Sequence, residues 1–321
     1  MIRGRMSGLW LSATISRAAF AAPIRFGFIL LAMVCLSQVR AHAHSGPADM
    51  VHRLTEQMAE YGPSADLLMR RVSENRALGH LKKAEYDLGH VLVLEPKHQG
   101  ARAELSRLYL KTNRSEDALD LINRAIADAE APTANAHLYA IRADAHAELR
   151  RNAAALADYD LAIANHETEI DWYLKRSVVQ QRLARHGDRV HGLSDGYQRT
   201  GSAVLHIEWI DALINAGRAR EALHYIEPRL RSARLKSAWF IRRARARLPL
   251  GQTVEAQHDL HLAIAEITDR MQPSRPNPDL LIDRAIAYLL LGNVSAARRD
   301  KEQAQRHHVH ASQLRRLKRF N

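Results

Sequence analysis

Small and apolar residues recur along this chain every three or four positions, which is the spacing of an amphipathic helix. The stretch AALADYDLAI (residues 154–163) is typical, with Ala155, Tyr159 and Ala162 on one face of the predicted helix. Asp158 and Asp160 lie off that face and are predicted to meet solvent. Alternating runs rich in Val and Thr, which would predict strands, are missing. The pattern therefore predicts an all-α protein.

Similar helices recur at intervals of 30 to 41 residues, which indicates an internal repeat. Each copy carries a small residue at one position: Ala84, Ala118, Ala155, Gly192, Ala222, Ala256 and Ala297. Five residues earlier lie the predicted turn residues: Gly79, Asn113, Arg150, Gly187, Gly217, Gly251 and Gly292. Gly and Asn adopt the left-handed conformation that ends one helix before the next begins. Each unit is therefore predicted to be helix, tight turn, helix, with the small residue allowing the two helices to approach closely.

These small residues, the turn glycines and second helices such as LADYDLAI resemble the tetratricopeptide repeat family. The units around Ala84, Ala118, Ala155 and Ala256 match best, and those around Gly192 and Ala297 are degenerate. The resemblance implies a right-handed α-solenoid of about seven helix-turn-helix repeats. It also implies that the first helices of successive units line a concave surface that holds peptide segments.

The amino-terminal residues 1–43 form a separate region. They contain five arginines and no acidic residue. Within them the apolar run FGFILLAMVCL precedes RAHAHS. A charged region, a short apolar region and a small-residue site predict a secretory signal cleaved after Ala43. We therefore expect an exported protein, periplasmic or extracellular, or a membrane-anchored one if the leader is retained. Cleavage would remove Cys35, the single cysteine, so the mature chain would form no disulfide.

The remaining chain divides by pattern into five further segments. They are a capping helix at 44–64, repeats one to six at 65–270, a proline-rich spacer at 271–278, repeat seven at 279–304 and a basic tail at 305–321. The net charge of +12 is concentrated at the two ends, since residues 298–321 carry eight basic and two acidic side chains. The nearly neutral body, with no interleaving of basic and aromatic residues, does not favour nucleic acid as a partner.

Two local motifs suggest chemistry but fit it poorly. GLSDG (192–196) matches the nucleophile elbow, yet that motif needs a strand before the serine, and here both flanks are helical. Ser194 is therefore predicted not to be catalytic, and no enzyme activity is expected. His307, His308 and His310 are clustered, and His44 would begin a cleaved chain, but no carboxylate accompanies the cluster, so no metal site or other cofactor is predicted.

By the resemblance, the residue eleven positions before each small residue faces the groove. These residues are Ser73, Arg107, Asp144, Gln181, Asp211, Arg245 and Ile286. Arg107 and Arg245 are the best donors to a ligand, or else they pair with Asp144 and Asp211 inside the solenoid. The members of the family that bind chaperones use Asn at this position to clamp a terminal carboxylate. No unit has Asn there, so that activity is not carried over.

Two functional hypotheses follow. The first is an exported, non-enzymatic scaffold or adaptor that binds protein or peptide segments on its concave face. The second is a protein of the envelope surface, docked on an anionic membrane by the basic tail with Leu314, Leu317 and Phe320, with the repeats as spacer. The sequence specifies neither the identity of the partner nor the oligomeric state.

Overall fold

The computed structural model describes residues 46–129, 135–272 and 274–307, together with Leu314 and Leu317. These residues divide into an amino-terminal unit that ends at Leu94 and a carboxy-terminal unit that starts at Glu95. The leader 1–43, His44, His308, His310 and most of the basic tail lie outside the described residues.

Fifteen α-helices account for nearly all the described residues, which contain no strand, so the predicted all-α repeat fold is confirmed. In the amino-terminal unit the helices are α1 (Pro47–Tyr61), α2 (Ala65–Ala77) and α3 (Leu81–Leu94). In the carboxy-terminal unit they are α4 (Gln99–Lys111), α5 (Ser115–Ala127), α6 (Ala136–Glu148), α7 (Asn152–Asn165), α8 (Ile170–Arg182), α9 (His186–Thr200), α10 (Ala203–Asn215), α11 (Ala219–Ser232), α12 (Ser237–Arg247), α13 (Thr253–Arg270), α14 (Pro278–Leu290) and α15 (Val294–Arg306).

Each helix of the carboxy-terminal unit packs against the next one in the chain, which is the pairing expected of a repeat array. The even-numbered members, α4 to α14, are the first helices of their pairs, and the odd-numbered members are the second helices. Helix α13 has 18 residues where the other second helices have 13 to 15. Its extra turn, together with the proline-rich stretch after it, accounts for the longest repeat interval.

Left-handed residues end the first helix of every pair. Six of the seven predicted turn residues have positive φ, from 59° at Arg150 to 78° at Gly292. The prediction is wrong in the fourth pair, where Gly187 lies inside α9 and Ala184 adopts the left-handed conformation with φ 54°. The chain therefore turns three residues earlier than the glycine pattern indicates.

This shift changes the assignment of the whole fourth pair. The position equivalent to Ala155 is Arg189, the fourth residue of α9, and not Gly192. Arg189 is only 2% exposed, and its guanidinium donates to Glu208 on α10 at 3.1 Å. The other six repeat positions keep their alanines, which are between 0% and 4% exposed: Ala84, Ala118, Ala155, Ala222, Ala256 and Ala297.

An ion pair recurs between the two helices of four pairs, and we call it the arginine clasp. In each case the Nε and one terminal nitrogen of an arginine on the first helix donate to both oxygens of an aspartate 16 residues later, at 2.6–3.0 Å. The four pairs are Arg71 with Asp87, Arg142 with Asp158, Arg243 with Asp259, and Arg284 with Asp300. The aspartates are at most 5% exposed. The prediction that Asp158 faces solvent is therefore wrong, because its charge is compensated inside the fold.

The third arginine nitrogen of each clasp reaches the helix before the pair. Arg71 donates to Thr55, Arg142 to Asn123, Arg243 to Glu227 and Arg284 to Thr268. One guanidinium thus joins three helices, which fixes how one pair sits on its predecessor.

The other three pairs fill the clasp positions differently. In the second pair Leu105 takes the arginine position, and in the fifth Trp209 and Tyr225 pack with ring centroids 4.4 Å apart. In the fourth pair Arg176 keeps its bond to the preceding second helix, at Asp160, but Gly192 stands where the clasp aspartate would be. Gly192, which the repeat pattern assigns to the small-residue position, therefore occupies the position of the clasp aspartate.

Candidate functional site

The predicted groove residues of the carboxy-terminal unit lie on its first helices, and most are engaged within the protein. Arg107 on α4 donates to Glu104 at 2.5 Å, so it pairs along its own helix and not with Asp144. Ser73 lies exposed on α2, and Gln181 is half-buried near the end of α8. With the corrected register of the fourth pair, Val178 and not Gln181 is equivalent to Asp144. Ile286 is only 3% exposed and belongs to the core.

Asp211 and Arg245 form the internal pair that the sequence offers as the alternative to ligand binding. Arg245 donates to Asp211 at 2.5 Å, and Arg242 donates to the other oxygen at 3.1 Å. Burial alone would raise the pKa of Asp211, but the two guanidinium groups lower it, so the carboxylate stays ionised. These three side chains link α10 to α12, and their charges largely compensate one another.

Asp144 accepts hydrogen bonds from two neighbouring helices. The Tyr159 hydroxyl on α7 donates to one oxygen at 2.6 Å, and the Lys175 ammonium on α8 donates to the other at 2.9 Å. Burial, with the nearby Asp144 carboxylate, raises the pKa of Tyr159 far above its ordinary value, so the phenol remains a donor. Burial alone would lower the pKa of Lys175, but Asp144 and Asp171 raise it. Asp144 on α6 therefore links its own helix to α7 and α8 and fixes the positions of Tyr159 and Lys175.

Beside Asp144 opens a pocket of about 300 Å³, which we call the α4–α6–α8 pocket because three successive first helices line it. Its lining residues are Leu110, Asp144, Ala147, Glu148, Tyr159, Lys175, Val178, Val179 and Arg182. Val178 is 46% exposed, whereas Val179 and Ala147 are buried, so the pocket has an apolar floor reachable from solvent. Charged groups of both signs surround that floor.

Two charged groups of the pocket lack an ion-pair partner among the described residues. Exposed Arg182 donates one bond, to the Ala147 carbonyl oxygen at 3.1 Å, and contacts no carboxylate in the part of the chain described. Exposed Glu148 forms no ion pair there either. A ligand can therefore meet unneutralised charge at Arg182, in contrast to Arg107 and Arg245.

Sequence reasoning reached Asp144 and missed the other pocket residues. The signal that identifies them is the left-handed residue of each turn, because it fixes which side chains of the first helix share a face. Counted from Ala184, Val178 is equivalent to Asp144 and Arg182 to Glu148. Counted from Gly187, the fourth first helix is rotated out of register and its pocket residues are not recognised.

The other chemical candidates have ordinary structural surroundings. Ser194 lies within α9, and its hydroxyl accepts from Gln198 at 3.4 Å. The described ranges contain no group of three His, Cys, Asp or Glu side chains arranged to hold a metal ion. None of the described helices is both long and apolar enough to cross a membrane.

Two side chains of the basic tail pack on the last repeats. Leu317 is 2% exposed and lies in the core cluster that includes Ile286, Ala297 and Ala304, and Leu314 packs against the same cluster. These leucines therefore cover the end of the repeat array, as terminal caps do. The hypothesis that they face a membrane does not fit this burial, and Phe320 lies outside the described residues.

Solved structures give the same class of protein, an all-α array of helix pairs. A tetratricopeptide repeat protein from Parabacteroides merdae aligns with a TM-score of 0.56 at 16% identity, over 80% of this chain and 98% of that one. The carboxy-terminal part of a repeat-containing protein from Cytophaga hutchinsonii aligns with a TM-score of 0.57 at 12% identity, over 74% and 93%. At these identities the similarity establishes the fold. Among curated proteins, none matches this sequence.

A segment of the sequence matches a family model. The model of the tetratricopeptide repeat family matches residues 76–145, which span the end of α2 to α6. This segment therefore matches the tetratricopeptide repeat family, and the predicted resemblance is confirmed. The family consists in general of non-enzymatic scaffolds for protein–protein interaction.

Proposed function

We propose that this protein is an exported, non-enzymatic scaffold that binds protein or peptide segments on its first-helix face, the surface formed by the even-numbered helices α4 to α14. The observation that carries the proposal is the α4–α6–α8 pocket, with its accessible apolar floor and its charged rim. A stiff, preformed surface of this kind leaves the partner to bear most of the ordering entropy of binding. Export is supported by the sequence pattern of residues 1–43.

The proposal is tested by placing a charge on the first-helix face and, as a control, on a second helix. Val178 on α8 and Leu161 on α7 are aliphatic side chains in consecutive helices, 46% and 44% exposed. Full-length tagged protein carrying Val178→Glu or Leu161→Glu is expressed in its native cell and its partners are captured. We expect Val178→Glu to lose partners that the wild type retains, because a carboxylate then faces the apolar floor, and Leu161→Glu to keep them.

Circular dichroism must show equal helix content and similar melting temperatures for the two variants. Retention of every partner by folded Val178→Glu, or loss only in Leu161→Glu, would contradict binding on this face. Export is tested separately, by locating the wild-type protein and a variant that starts at residue 44 after cell fractionation.

A further inference from the structure

The charges in the α4–α6–α8 pocket are unequally compensated. Lys175 lies 2.9 Å from both Asp144 and Asp171, so its positive charge is already compensated by two carboxylates. Arg182 is exposed, and its one bond within the described protein is to the carbonyl oxygen of Ala147. A guanidinium without a carboxylate partner gains more from a ligand carboxylate than one that is already paired does.

The Ala147 bond also holds the guanidinium in place. With one terminal nitrogen bound to that carbonyl, the remaining donors of Arg182 are fixed at the edge of the apolar floor. A ligand carboxylate bound there would therefore lie close to any side chain that packs on Leu110 and Val178. An apolar group and a single carboxylate are the two features that this pocket accepts together.

Glu148 limits how much negative charge the pocket accepts. It lines the same pocket and forms no ion pair in the described chain, so a second ligand carboxylate would meet repulsion. The surface therefore disfavours polyanions and acidic runs and selects an isolated acidic group.

The position of the pocket also selects the form of the ligand. Helix α8 contacts the next first helix, α10, so the surface continues beyond the pocket. A segment that crosses the pocket can pack on α10 as well as on the helices that line the pocket, so crossing it buries more surface than ending in it. A volume of about 300 Å³ is at the lower limit of small-molecule sites and suits a few side chains.

We propose that the α4–α6–α8 pocket recognises an internal peptide segment with one acidic side chain close to an aliphatic one. Arg182 binds the carboxylate, while the aliphatic side chain packs on Leu110 and Val178. This specificity rests on the proposed function, since it requires that the first-helix face binds peptide segments.

The test begins with selection from random 15-residue segments displayed inside a carrier loop, so that no segment offers a free terminus. The bait is the full chain as wild type, Arg182→Gln, Arg182→Glu or the control Arg220→Gln. Arg220 is an exposed arginine on the second helix α11, outside the pocket. We expect wild type and Arg220→Gln to enrich segments with one Asp or Glu near Leu, Ile or Val. Arg182→Gln should lose the acidic preference, and Arg182→Glu should replace it with a basic one.

The strongest segment is then made as a peptide blocked at both ends, and its dissociation constant is measured by calorimetry. Replacing its acidic residue by the matching amide should weaken binding about tenfold, the loss of one charged hydrogen bond. Arg182→Gln should weaken it by a similar factor, and the two changes together should add little. The comparison of the acidic peptide with its amide version uses only the wild-type protein, so it tests the proposal even if Arg182→Gln folds poorly.

Each alternative outcome has a distinct meaning. Enriched segments with no acidic preference, or equal affinity for Arg182→Gln, would overturn the proposed specificity and leave peptide binding intact. Equal binding of a peptide whose sole carboxylate is its carboxy terminus would overturn recognition of an internal segment. If no bait enriches any segment, both this inference and the proposed function are wrong.

Discussion

Two glycines of α9, four residues apart, have opposite roles. A Cβ at Gly196 would lie 2.6 Å from Cδ1 of Tyr173, a ring that is 1% exposed and cannot move aside. A Cβ at Gly192 would lie 2.7 Å from a terminal nitrogen of Arg176, the mobile end of a long side chain. The first glycine is therefore required by packing, while the second leaves a clasp without its aspartate. Together they account for both glycines of GLSDG in structural terms.

We predict that Gly196→Ala and Gly192→Asp change stability in opposite directions. Gly196→Ala should lower the free energy of unfolding by about 1–3 kcal/mol, the usual cost of overpacking. Gly192→Asp should raise it by about 1 kcal/mol, because it removes a helix-interior glycine and gives Arg176 the aspartate found in four other pairs. Thermal unfolding by circular dichroism measures both. Gly192→Asn is the control without the charge, and a Gly192→Asp variant no more stable than this control would contradict the restored clasp.

In four helix pairs, the arginine clasp joins the two helices through a buried aspartate. Asp259 is fully buried and accepts hydrogen bonds from Arg243 and Arg247, while Asp160, 62% exposed, receives one from Arg176. Both aspartates lie on second helices and differ mainly in burial and in the number of partners. They therefore form a matched pair for measuring what a clasp contributes.

Asp259→Asn should lower the free energy of unfolding by about 3 kcal/mol, because two guanidinium groups then lose their carboxylate inside the fold. Asp160→Asn should cost less than about 1 kcal/mol, since an exposed ion pair contributes little. Urea unfolding of the full chain gives both values. Equal losses for the two variants would mean that burial does not decide the strength of these pairs.

The sequence predicts the helix pairs, but it does not predict the clasp or the register of the fourth pair. Helix pairs follow from apolar period and turn glycines, because these depend on local geometry, and residues such as Ala155 and Gly251 identify them. The register of the fourth pair does not follow, because a glycine at 192 satisfies the pattern of small residues while its structural role is that of a missing aspartate. The buried state of Asp158 also depends on an arginine 16 residues earlier, which a helix-face reading does not consider.

For the carboxy-terminal unit as a whole, buried charges are paired, so the histidines are the groups whose protonation changes near neutral pH. His206 is 5% exposed, stacked on Tyr197 at 4.5 Å between ring centroids, with Trp209 and Tyr225 beside it. Burial, and then the positive charge of Arg229, lowers the pKa of His206. Burial likewise lowers the pKa of His146, which lies 3.8 Å from Asp158 of a clasp. Both imidazoles are therefore neutral in the folded protein at neutral pH.

Because the folded pKa values are lowered, the unfolded chain binds more protons below about pH 6.5, the ordinary histidine pKa. Stability is therefore complete above that pH and falls as the pH is lowered toward the folded pKa values. We predict that the melting temperature of the wild type decreases between pH 7.5 and pH 5.5. His206→Phe, which keeps an aromatic ring in the stack, should decrease less. His258→Phe, at an exposed position of α13, is the control and should follow the wild type. A His206→Phe profile parallel to that of the wild type would mean that this histidine does not set the acid sensitivity of the unit.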